Sequence, residues 1–416
     1  MKHHLTKTML ATAAAVALLT TLLLAPVASL HAADASKPVK VFILAGQSNM
    51  EGQAVVDLDG KNYNEGKGTL AMLMRDPAKG PMLKHLRGAD GKWTVRDDVW
   101  VRYQREGQPL LSGPLGVGFA VYGGAHHFGP ELQFGHVVGD RLENPVLLIK
   151  TAWGGKSLFK DFRPPSSGGE VGKYYTLMIA QVREALTNME TEFSATQGRG
   201  YELAGCVWYH GWNDGVNPKT AVPEYEQNLV NLINDVRREF KSPKLPVIIG
   251  ELTGPWVDAP LEWTKLRQAQ AAAAARAEFA GNVLFVPTHD FVRKPEDSPN
   301  PGHGHHEFGN AETYFLVGDA LGRGMMKLLN GRTASAIKDY GLKDYVRVSK
   351  DLPHSEIPLP PAPDNWASPP SRSPRRPRDT FESRRPELAP SITGPSTSWI
   401  FTERLAAIES LLRNGF

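Results

Sequence analysis

Five short runs of apolar, largely β-branched residues recur along the chain, each closed by a turn signal: 39–44, 146–149, 203–208, 247–250 and 283–286. Runs this short and this continuously apolar read as strands buried on both faces, as in parallel sheets. Helical spacing fills the intervals. It covers 174–189, then 225–240 with Leu229, Leu232, Ile233 and Val236 on one face, the Ala- and Gln-rich stretch 261–279, and finally 308–329. Strands alternating with helices predict an α/β fold of three layers, helices on both faces of a parallel sheet. There is no internal repeat.

One segment breaks the alternation. Residues from about 55 to 127 are rich in Gly, Pro and aromatics, with a small hairpin expected over 93–101. They read as a long insertion after the first strand, of the kind that shapes a substrate pocket.

Both ends of the chain differ from the middle. Lys2 and Lys7 precede an apolar run at 10–24, and small residues follow at 32–35. This is the pattern of a cleaved signal peptide, assigned to 1–33, and it predicts an exported protein without a stable membrane anchor after cleavage. The main domain is expected over 38–345. At 352–398 Pro, Ser and Arg dominate, predicting a disordered tail, and 399–416 carries a short amphipathic helix pattern. Of the 416 residues 41% are hydrophobic, enough for a substantial core. The net charge is only +3, and Arg372, Arg375, Arg376, Arg378, Arg384 and Arg385 of the tail contribute to it, so nothing points to a nucleic-acid partner. The one cysteine, Cys206, lies in an apolar run and is expected in the core.

Four blocks carry chemistry. Gly46-Gln47-Ser48-Asn49-Met50-Glu51-Gly52 follows the first strand, where α/β sheets place their ligands. There Ser48 reads either as a nucleophile or as a helix cap. Thr151-Ala152-Trp153-Gly154-Gly155-Lys156-Ser157 and Trp208-Tyr209-His210-Gly211-Trp212-Asn213-Asp214 follow two more strands. Glycine amides and the Asn213 side chain are suitable donors to an oxyanion; both stretches are equally ordinary turn formers. The fourth block, Gly302-His303-Gly304-His305-His306-Glu307, offers a base for Ser48 or, alternatively, ligands for zinc. Convergence of four metal ligands is not evident in it, and no metal or organic cofactor is expected. Trp153, Trp208, Tyr209 and Trp212 suit either sugar stacking or the core.

Taken together, these blocks resemble the SGNH hydrolases, and more narrowly their sialate O-acetylesterase branch, which includes carbohydrate esterase family six. Gly46-Gln47-Ser48-Asn49-Met50 is similar to the nucleophile block, Gly211-Trp212-Asn213-Asp214 to the Gly-x-Asn-Asp block, Gly154-Gly155 to the glycine block and Gly129-Pro130-Glu131-Leu132 to a Gly-Pro-Glu segment of this branch. Asn310-Ala311-Glu312-Thr313-Tyr314-Phe315 resembles the segment that follows the catalytic histidine. The similarity spans roughly 40–329.

This resemblance implies a flavodoxin-like sheet of order 2-1-3-4-5. It implies a carbohydrate O-acetylesterase acting on acetylated glycans, with Ser48 as nucleophile, His306 as base, and an oxyanion hole from the Ser48 amide, Gly154 or Gly155, and Asn213. Gln47, Trp153, Trp212 and Glu131 are the expected substrate contacts. The chain departs from the Asp-x-x-His pattern of the superfamily, because His303 stands three residues before His306. Asp297 is the expected third member, Glu296 its alternative and Asp290 a weaker one; a Ser-His dyad is the remaining reading. Two rival functions stand beside the esterase: a non-catalytic carbohydrate-binding protein, which the missing acid favours, and a lipase-like esterase on the same scaffold.

Overall fold

A computed structural model of the chain describes residues 37–122, 124–254 and 261–330. The signal peptide expected at 1–33, the end of the main domain at 345, the tail at 352–398 and the terminal helix at 399–416 lie outside the described residues.

The strands of the main sheet are β1 (Val39–Gly46), β2 (Val99–Gln104), β3 (Leu110–Pro114), β4 (Val146–Ala152), β5 (Tyr201–Tyr209), β6 (Val247–Gly250) and β7 (Val283–Val286), beside a separate two-residue pairing of Ala54–Val55 with His127–Phe128. They form a seven-stranded sheet of order β3-β2-β4-β1-β5-β6-β7. Every pairing is parallel except that of β2 with β3. Counted among themselves, the five strands expected from the sequence lie in the order 2-1-3-4-5.

The side chains of β1 alternate between two cores. Val39, Val41, Ile43 and Ala45 face one layer with α3 (Lys173–Glu192), α4 (Val222–Glu239) and α5 (Leu261–Ala274). Phe42 and Leu44 face the other, with α2 (Glu131–Gly139) and α6 (Ala311–Leu329), and with Leu70, Leu73, Met82 and Leu83 of the insertion. Both faces of the sheet are therefore covered, which is why five of its strands contain the short apolar runs read from the sequence. Cys206 is in the first core, and burial pushes its thiol up to about 12.

The insertion differs from its expected role in one respect. Rather than standing wholly apart from the sheet, it contributes β2, which lies parallel to β4, and β3, which returns antiparallel along β2. The hairpin thus falls later than 93–101, where Arg87 and Trp93 make only an isolated bridge. The turn is set by Gly107, at φ 66, a left-handed conformation that glycine adopts without strain. Within β2, Arg102 is buried and pairs with Glu184 at 2.7 Å and Glu192 at 2.9 Å, both on α3.

Candidate active site

Strand register brings three blocks to one level. Gly46, the last residue of β1, stands opposite Ala152 of β4 on one side and Tyr209 of β5 on the other. The segments that follow these three residues therefore leave the same edge of the sheet side by side. Contact is close there: a Cβ at Gly46 would collide with the Tyr209 carbonyl oxygen. Side chains then join the blocks. Gln47 Oε1 accepts the Gly211 amide at 3.0 Å, and Asn213 Nδ2 donates to the Gly155 carbonyl at 2.8 Å. Asp214 accepts the Leu158 and Phe159 amides, both at 2.9 Å, and burial raises its carboxyl to about 7.

Ser48 opens α1 (Ser48–Glu51), a single helical turn entered from the extended backbone of Gln47. Its Cβ lies 3.5 Å from where a Cβ would sit on Gly154. At the other end of α1, Glu51 accepts Tyr103 Oη–H at 2.8 Å. Burial raises the Glu51 carboxyl, against the pull of Lys150 and Arg105. Glu131 lies beneath this layer. It pairs with Lys150 at 2.7 Å, and both side chains are wholly buried. Lys150 also donates to the Glu51 and Phe119 carbonyls, at 2.8 and 2.6 Å.

The histidine block forms an irregular turn, Gly304–Gly309, in contact with α1. His306 has φ −118, and the next two residues, Glu307 and Phe308, take φ values of 50 and 55. The His306 ring lies 4.0 Å from that of His305, which is 5.8 Å from His303 and 6.0 Å from Trp212. Burial first, then His305 and His303, pushes the His306 imidazole down to about 3, so the ring is neutral and able to accept a proton. Behind it, Glu307 Oε1 accepts Asn49 Nδ2 at 3.1 Å and the Gly254 amide at 2.9 Å. Tyr314 Oη donates to Asn49 Oδ1 at 2.7 Å and reaches the His306 carbonyl at 3.2 Å. Ser48 is thus flanked by two anchored residues, Gln47 holding the Gly-x-Asn-Asp block and Asn49 holding the histidine turn. Among the described residues the Ser48 hydroxyl and the His306 imidazole share no hydrogen bond.

Asp297 is exposed; its backbone carbonyl accepts Asn310 Nδ2 at 3.3 Å, and it lines a separate cavity with Lys67, Lys79, Arg293 and Glu312. The Glu296 carbonyl accepts Asn64 Nδ2 at 3.0 Å. Asp290 lies 3.1 Å from His289 Nε2. Among the described residues, none of these three carboxyls is hydrogen-bonded to His306.

Residues 38–313 match the family model of the carbohydrate esterase, sialic acid-specific acetylesterase family. The chain belongs to this family. A probable carbohydrate esterase of Arabidopsis thaliana is 26% identical to it over 239 residues, 56% of this chain and 75% of that one. An X-ray structure of an Arabidopsis thaliana protein covers 70% of this chain and 99% of its own at 17% identity, with a TM-score of 0.43. A structure described as a carbohydrate acetylesterase from Xanthomonas citri covers 71% of this chain and 57% of its own at 14% identity, with a TM-score of 0.44.

Beside the serine of this carbohydrate esterase lies a cavity of about 440 Å³, lined by Glu51, Arg105, Tyr122, Trp153, Gly154 and Lys156 among others. The insertion supplies Arg105 and Tyr122, and Tyr122 is 63% exposed. The Lys156 ammonium sits 4.5 Å from the centre of the Tyr174 ring. Of the four aromatics singled out in the sequence, Trp208 and Tyr209 are core residues and Trp153 is buried at the cavity wall. Trp212 is half-buried, against Trp263 at 4.8 Å. Glu51, Arg105, Tyr122 and Glu307 were not signalled by the sequence, because their roles come from neighbours distant in the chain.

Proposed function

We propose that this carbohydrate esterase is an exported serine hydrolase that removes acetyl groups from sugars through a covalent acyl-enzyme. The observation that carries the reading is the double anchoring of Ser48: Gln47 binds the Gly211 amide and Asn49 binds Glu307, so nucleophile, oxyanion donors and histidine belong to one connected unit.

His306, neutral in its buried setting, takes the Ser48 proton as Oγ attacks the ester carbonyl. The tetrahedral oxyanion is held by the Ser48 amide, a glycine amide and the second N–H of Asn213. Collapse expels the sugar alcohol, which takes the proton from His306. Water then enters, gives its proton to His306 and attacks the acetyl-serine carbonyl. Acetate leaves and the proton returns to Ser48. No hydrogen bond joins His306 to Asp297 or Glu296 among the described residues, which supports the dyad over a triad with either. No metal or organic cofactor takes part in these steps. The sugar is assigned to the cavity beside Gly154, with Tyr122 as its exposed aromatic contact. The apolar run at 10–24 with its small-residue sequel supports export.

The test is acetate release from a panel of acetylated glycans, run with a chromogenic acetate and longer acyl esters. Acetate release with a preference for the short acyl chain supports the proposal. Absence of any ester hydrolysis would leave a binding protein, and a preference for long chains would leave a lipase.

A further inference from the structure

We infer that Glu307 is a positioning residue that sets the His306 imidazole against Ser48 through Asn49, a role left open by the missing acid of the Asp-x-x-His pattern. The inference rests on the acyl-enzyme reading above. Its first ground is backbone geometry. Glu307 and Phe308 both occupy the left-handed region, which residues with a Cβ adopt only when their surroundings hold them there. Glu307 Oε1 receives Asn49 Nδ2 and the Gly254 amide, and the Phe308 carbonyl receives the Asn300 amide at 2.9 Å. Tyr314 closes the circuit by touching both Asn49 and the His306 carbonyl.

The second ground is what the carboxyl lacks. Glu307 is almost wholly buried, and its Oε2 has no hydrogen-bond partner among the described residues. A buried carboxylate with one bare oxygen is costly, and a protonated carboxyl is the better occupant. The groups facing it are Asn49 of α1, Tyr209 of β5, the Gly254 amide, Arg267 of α5 and Tyr314 of α6. Only Arg267 is cationic, and its guanidinium is spent on the Leu252, Thr253 and Gly254 carbonyls. Burial accordingly raises the Glu307 carboxyl to about 8. Protonated, it holds the turn; ionised, it places a buried anion behind the histidine. Activity should therefore fall as pH rises through 8.

The experiment uses the full chain as wild type, Glu307→Gln and Glu307→Ala. It follows kcat and KM for an aryl acetate from about pH 5 to 9.5, together with the rate at which a fluorophosphonate labels Ser48, read by peptide mass. Glu307→Ala is expected to lower kcat about 100-fold, with KM within about threefold and labelling slowed in parallel, the size of effect a small misplacement of a catalytic group produces. Glu307→Gln keeps the accepting oxygen and cannot ionise. It is expected to restore most of the neutral-pH rate and to abolish the decline above pH 8. Wild-type kcat and labelling in a folded Glu307→Ala overturn the inference. If Glu307→Ala does not fold, an alkaline limb in Glu307→Gln identical to wild type overturns it. If wild type is not labelled at Ser48, the nucleophile assignment falls and this inference with it; if wild type and Glu307→Ala are labelled equally fast, only the positioning role falls.

Discussion

Gln47 and Gly211 join two strand ends: the side-chain oxygen of the first accepts the backbone amide of the second at 3.0 Å, inside the protein. Removing the acceptor leaves a buried N–H unpaired, which costs about 1–3 kcal/mol. Gln47→Ala is therefore expected to lower the melting temperature by several degrees and kcat at least about tenfold, with KM little changed, since the Asn213 loop loses its tie to the serine. Calorimetry and steady-state kinetics on an aryl acetate check this; an unchanged kcat in the folded variant would detach Gln47 from the site.

Ser48→Ala should remove activity by about four orders of magnitude or more and leave the fold intact, because it removes a single oxygen from a small side chain at the head of α1. Turnover and the thermal transition are the measurements. Retention of about a tenth of wild-type turnover would assign the nucleophile elsewhere.

His306, held down to about 3, is neutral and competent as a base at every pH above that value and is protonated below it. The acidic limb of kcat/KM is expected near pH 3–4 instead of about 6.5, the value for a free imidazole. Three alanine variants separate the neighbouring rings. His306→Ala loses the reaction at all pH values, while His303→Ala and His305→Ala retain turnover. A severe defect in His305→Ala with His306→Ala near wild type would move the base by one residue.

Lys150 and Glu131 neutralise one another where neither sees water. Lys150→Met strands a buried carboxylate and should destabilise by about 3–5 kcal/mol. Adding Glu131→Leu should recover part of that loss, because the stranded charge goes too. Denaturant midpoints of the two variants make the comparison, and a double variant less stable than the single would refute it.

Much of the sheet was legible because burial on both faces makes runs such as 146–149 uniformly apolar. β2 escaped for the opposite reason. It carries Arg102 in its centre, and the Glu184 and Glu192 that make that burial tolerable stand more than one element away. The chemical blocks could be read from their place after strands, and register then brought three of them together at Gly46, Ala152 and Tyr209. What joins them could not be read. Asn49 with Glu307, Glu51 with Tyr103, and Lys150 with Glu131 are pairs in which neither residue announces its partner by spacing or type.

The contact between Asn49 and Glu307 spans 258 positions of sequence. Closing so long a loop is among the later events in folding, since its entropy must be met before the contact forms. A ribosome-bound chain that has emerged only to α5 already contains the serine, the glycines and Asn213, and yet has no histidine turn to dock on α1. Hydrolysis then waits on the emergence of α6 and the turn before it, which makes the first appearance of turnover a clock for the docking of that turn on α1.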